Sequence, residues 1–148
     1  MHPLHKLALA GVFLSTTVGP VAQISAQTSD VPAFNPKPPA ATEKLPPILK
    51  PAQIPAESRQ YEFQVKAYQI AARIHRVLHQ LPCYCHCDRG FGHNSLRSCF
   101  ASTHGANCGT CLQELFYADQ QLKKGKTAAQ IRAGIERGDY QSIDLHKI

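Results

Sequence analysis

Six cysteines, at positions 83, 85, 87, 99, 108 and 111, fall within 29 of the chain's 148 residues and form an array CxCxC…C…CxxC. No other feature limits the fold so strongly. The chain has room for one domain of ordinary size. The part after residue 56 has no Trp, and hydrophobic burial alone leaves a small domain marginal, so crosslinks or a metal are expected to hold it together.

Three zones differ in composition. Residues 1–26 read as a secretory signal: His2, His5 and Lys6 precede an apolar run from Leu7 to Leu14, and Ile24-Ser25-Ala26 offers small residues for cleavage. A retained anchor needs about 20 apolar residues, and here Ser15-Thr16-Thr17 and Gly19-Pro20 interrupt the run. Residues 27–56 contain eight of the 11 prolines. Prolines at this density disfavour helix, and with few large apolar side chains to bury the segment reads as a disordered, extended spacer. Residues 57–148 form the cysteine-rich domain. Net charge is +6, spread evenly and without aromatic stripes, which argues against nucleic acid as a partner.

Periodicity makes the domain all-α, with three to four helices and a cysteine-rich loop. Tyr61, Val65, Tyr68 and Ala72, with Ile74, Val77, Leu78 and Leu81 on the adjoining stripe, recur at helical spacing up to Pro82. A short turn is expected from Asn94 to Phe100, capped by Asn94 or Ser95. A third helix runs from Cys108 to Lys124, with Cys111, Leu112, Leu115, Phe116, Ala118 and Leu122 inward and Gly125 as its stop. Thr127-Ala-Ala-Gln130 fits a capping box that opens a fourth, carrying Ile131 and Ile135.

Disulfides are the default for an even set of cysteines in an exported chain. Bonds among Cys83, Cys85 and Cys87 would be strained, and three bonds into Cys99, Cys108 and Cys111 would be redundant as crosslinks. The metal reading uses the spacing better. Residues i and i+2 of an extended segment share a face, so a curled Cys83–Cys87 can aim three sulfurs at one point. Cys108-Gly-Thr-Cys111 opens a helix, where thiol acidity rises. Soft thiolates select copper(I) or zinc. Six bridging thiolates suit four copper(I) ions, and four terminal plus two bridging suit two zinc ions. Arg73, Arg76, Arg89 and Arg97 stand near enough in sequence to offset the cluster's charge.

His86, His93 and His104 are accessory ligand candidates in the same stretch. His75 and His79, at i and i+4, read as a polar helix edge. Cys108-Gly-Thr-Cys111 imitates a thiol–disulfide redox motif but lacks its βαβ context. Asp88, Glu114 and Asp119 form no recognisable carboxylate pair with a base or nucleophile, so no enzyme is expected.

The run Pro82-Cys-Tyr-Cys-His-Cys87, followed by Gly92-His93, Ser95-Leu96, Cys99-Phe100, His104-Gly105, Cys108 and Cys111, resembles the bacterial PCYCGC-motif family, whose function is unassigned. His86 stands where the motif has Gly, and the chain lacks the lipobox cysteine that many members carry. The resemblance implies a cell-envelope role, here as a free periplasmic or secreted protein without a membrane anchor. The function expected is sequestering or carrying copper(I), with zinc as the second metal. A disulfide-stapled module docking to another envelope protein is the alternative, and a redox protein the third.

Overall fold

The computed structural model describes residues 30–148; the expected signal segment and the first residues of the spacer lie outside that range. Among the described residues six α-helices follow one another: α1 (Glu62–Leu78), α2 (Cys87–Phe91), α3 (Leu96–Cys99), α4 (His104–Asn107), α5 (Gly109–Lys123) and α6 (Ala128–Glu136). Among the described residues there is no strand, and no helix is long and apolar enough to cross a membrane. The all-α reading holds, with α2 and α4 as single turns the periodicity had not separated from loop.

Local sequence explains the long helices. Gln64 folds back to accept the Tyr61 N–H at 3.0 Å, which starts α1. Cys108 is the extended residue before α5, and Gly125, at φ +76°, ends that helix as expected. The predicted capping box is present: the Gln130 N–H reaches Thr127 Oγ1 at 3.3 Å, and the Thr127 N–H reaches Gln130 Oε1 at 3.0 Å. Ile131 and Ile135 are then fully buried. The buried stripe of α1 differs from the expected one. It passes through Gln64, Ala67, Tyr68, Ile70, Ala71 and Leu78, while Tyr61 and Ala72 are exposed. The reason is polar: Gln64 is turned inward because its Nε2 donates to the Ala106 carbonyl at 2.9 Å.

That contact belongs to a clamp between α1 and α4. Tyr68, wholly buried, donates its hydroxyl to the Ser102 carbonyl at 2.6 Å and accepts the Ala106 N–H at 3.1 Å. Its ring meets Phe100 edge-on at 5.3 Å, and burial pushes its pKa up to about 12. A one-turn helix has no stability of its own, so α4 is fixed by these side chains from α1.

The proline-rich segment has no α-helix, as expected, but it carries a 3-10 turn at Pro51–Gln53 and from Asp30 onward it lies against the domain. Pro32, Pro39 and Ile54 are buried. The Asn35 N–H donates to the His79 carbonyl and the Leu49 N–H to the Phe100 carbonyl. Arg76 donates to the Pro39 carbonyl, Arg97 to that of Pro46, and Arg89 pairs with Asp30. A segment whose own donors are few still offers carbonyls, and three arginines take them or the acid beside them. Arg89 and Arg73, the latter paired to Asp119 at 2.6 Å, thus have carboxylate partners of their own, whereas Arg76 and Arg97 bond neutral carbonyls and keep their charge.

Replacing Tyr68 by Phe leaves the Ser102 carbonyl and Ala106 N–H without their buried partner. It should cost about 1–3 kcal/mol in chemical denaturation. An unchanged midpoint would mean that α4 is held in place by other contacts.

Candidate metal centre

Pro82, fully buried, follows the end of α1 and sends the chain into a turn: the His86 N–H bonds the Cys83 carbonyl at 3.1 Å. His86 then adopts the left-handed conformation, φ +55° and ψ +33°, and Cys87 begins α2. The sulfurs of Cys83, Cys85 and Cys87 do converge, within 4.8 Å of one another. They do so through this turn and not through the alternation of an extended strand. Cys99 arrives from α3, Cys108 precedes α5 and Cys111 lies in its first turn.

All six cysteines are unpaired by disulfides. Cys83 Sγ lies 3.2 Å from Cys111 Sγ and 3.4 Å from Cys85 Sγ, Cys85 lies 3.7 Å from Cys111, and Cys87 lies 3.4 Å from Cys99. A bonded pair would be about 2.05 Å apart. Two thiolates on one tetrahedral zinc, at about 2.3 Å each, are about 3.8 Å apart, and a thiolate and an imidazole nitrogen about 3.6 Å. The nitrogens match that second spacing. His104 Nε2 is 3.6 Å from Cys85 Sγ, and His93 Nδ1 is 3.4 Å from Cys99 Sγ.

Two four-donor sets result. One is Cys85, Cys108, Cys111 and His104; the other is Cys87, Cys99, His93 and His104; within each the donor atoms lie within 4.8 Å of one another. Two sulfur-only triads, Cys83 with Cys99 and Cys111 and Cys83 with Cys85 and Cys87, meet the same limit. The donors present therefore fit a soft cation of zinc or copper(I) type. His86 is brought into none of these sets, and its Nδ1 is buried without a partner. His75 and His79 join none either: His75 Nδ1 lies 2.9 Å from the Ala72 carbonyl.

The thiols share protons unequally. Hydrogen bonds from Cys108 and then Cys111 push Cys85 down, and those from Cys111 and then Cys83 push Cys87 down to about 2. Hydrogen bonding to Cys108, then Cys83, pushes Cys111 up. Without a metal, the crowded sulfurs hold one another's protons. A cation displaces those protons and takes the same lone pairs.

Glu114, dismissed in the sequence as a catalytic acid, is fully buried beside the cluster. Its Oε1 accepts the Tyr84 N–H at 2.7 Å and so pins the turn between Cys83 and Cys85. A charge three residues after Cys111, inside the stripe Leu112–Leu115, is the sequence signal for it. Phe91 was also missed. It is 68 % exposed and covers the imidazoles of His93 and His104, with centroids 5.8 and 4.8 Å away.

Burial pushes Glu114 from the ordinary 4.5 up to about 8. The folded state then holds a proton that the unfolded state has released, so stability falls as pH rises from about 4.5 through about 8. Glu114→Gln keeps an acceptor for Tyr84 and should remove that slope from the metal-free protein, as urea denaturation across this range would register. His86→Gly should raise stability by roughly 0.5–1 kcal/mol, since the left-handed conformation suits Gly better. A lower midpoint would assign the His86 ring a compensating contact.

A family model described as a protein of unknown function with PCYCGC motif matches residues 41–142. The match begins inside the proline-rich segment, at the part that Arg97 and Phe100 hold. No curated protein and no solved structure matches the chain.

Proposed function

The chain belongs to the PCYCGC family, and on that premise we propose that it is a non-catalytic metal-binding protein of the bacterial cell envelope that sequesters or carries a thiophilic ion. One observation carries the reading: six sulfurs and two imidazole nitrogens, from distant points along the chain, fall into sets whose donor atoms lie within 4.8 Å of one another, with two sulfur–nitrogen pairs near the spacing of ligands on one metal. Sulfurs that served only as staples would need no imidazole beside them. The signal-like residues 1–26 support export to the periplasm or beyond.

The two histidines move first place from copper(I), the ion expected from the cysteines alone, to zinc. Three sulfurs with one imidazole, and two with two, are donor sets that tetrahedral zinc takes in structural sites. Copper(I) is the second reading, favoured by the two sulfur-only triads through Cys83, since three thiolates complete a trigonal copper(I) site. Either ion would contribute folding energy directly, because the short helices that carry Cys87, Cys99 and His104 do not stand alone.

The test is elemental analysis with a thiol count on the mature protein, recovered from the envelope fraction without chelator or reductant. Two zinc ions per chain, or about four copper at three thiolate bonds each, with thiols titratable only after the metal is stripped, are the expected result. No metal and no free thiol, with a mass six protons below the reduced chain, would mean three disulfides and would leave the stapled interaction module in its place.

A further inference from the structure

The eight donors differ in what covers them. In the set of Cys85, His104, Cys108 and Cys111, the first three are partly exposed and only Cys111 is buried. In the other set the two sulfurs, Cys87 and Cys99, are buried at 4 % and 0 % exposure. Each set has donors the other lacks: Cys85, Cys108 and Cys111 on one side, Cys87, Cys99 and His93 on the other. Two donors stand on the seam. His104 is within reach of both sets, and Cys83 Sγ lies within 4.8 Å of two sulfurs from each, Cys85 and Cys111 on one side, Cys87 and Cys99 on the other. Three private donors a side and two at the seam make eight, the number that two four-coordinate ions require.

We infer that the centre holds two ions of unequal exchange rate, an outer one on Cys85, Cys108 and Cys111 that is handed on, and an inner one on Cys87, Cys99 and His93 that is retained. The inference rests on the metal-binding reading above and adds to it a direction of transfer. Ligand exchange proceeds by an incoming donor displacing a bound one, so it begins where a bound sulfur meets solvent. Cys85 and Cys108 do, and the inner sulfurs do not. Phe91 closes the remaining approach to the inner ion by lying over His93 and His104. The acceptor this fits is a thiol-bearing chelator or protein able to reach Cys108 at the start of α5. The inner ion keeps the turns α2 and α3 folded while the outer one leaves.

Zinc is the probe. The full mature chain, loaded with zinc and freed of excess, is mixed with a chromophoric chelator and release is followed in time. Two zinc ions should leave in two phases of equal amplitude, separated by about tenfold or more, the span by which even outer-shell partners alter metal affinity. Cys108 and His93 are both partly exposed, so replacing either removes a donor without emptying a fully buried position. Cys108→Ser should remove the fast phase and leave the slow one. His93→Ala should accelerate the slow phase and leave the fast one. A single phase in the unaltered protein, or both variants acting on the same phase, would overturn the unequal pair while leaving metal binding standing. A chain that retains neither zinc nor, when loaded in its place, copper(I) would overturn the metal-binding reading itself.

Discussion

Five sulfurs packed at 3.2–3.7 Å from their neighbours, with that of Cys108 within 4.8 Å of two of them, cannot all carry a charge unless a cation lies among them. The rest of the domain is arranged around that constraint. Between α1 and α5, the two long helices, residues 79–108 contain only single turns of helix. Such turns do not persist by backbone hydrogen bonding. They are fixed where their side chains are: Cys87 in α2, Cys99 in α3 and His104 in α4 all end in the cluster. The core is thin, with Tyr68 and Phe100 as its largest fully buried side chains. A metal at the centre would therefore be a structural element as much as a cargo, and losing both ions would loosen the loop that binds them.

The N-terminal segment answers the same problem from outside. Residues 30–55 bring no α-helix or strand and only one 3-10 turn, Pro51–Gln53, yet their carbonyls and Asp30 are held by Arg76, Arg89 and Arg97. Arg97 is itself in α3, two residues from Cys99, and Arg89 is in α2, two from Cys87. The strap thus ties down, from the solvent side, the two turns that the sulfurs hold from within. Exposed ion pairs such as Arg89 with Asp30 contribute little each. The buried prolines and Ile54 supply the apolar contact that makes the strap part of the domain.

Much of this was legible in the sequence, for reasons that differ by element. The helices α5 and α6 followed from Gly125 and the Thr127–Gln130 box, because caps are local and need only neighbouring residues. The six cysteines announced a cluster by spacing alone. Of the three histidines, His93 and His104 join it and His86 does not, a distinction spacing cannot make because it depends on which way a turn winds. The buried stripe of α1 was misplaced since Gln64 finds its partner, Ala106, 42 residues away. The strap was read as spacer for the same reason. Composition shows that prolines at this density disfavour an α-helix, but it does not show that arginines far along the chain will bind their carbonyls.

The motif that defines the family can be read as mechanics, residue by residue. Pro82 leaves the end of α1 and is buried. Cys83 stands at the seam of the two donor sets and closes the turn with its carbonyl. Tyr84 contributes its backbone N–H, which Glu114 anchors from α5. Cys85 faces outward to the accessible set, and Cys87 begins α2 in the buried one. Between them the chain must reverse within one residue to send two sulfurs to different sets. That reversal is the left-handed conformation at position 86. Glycine adopts it without steric cost, which accounts for the Gly of the motif. Histidine here accepts the strain without gaining a place among the ligands, so what the fifth position must supply is a backbone angle and not a donor.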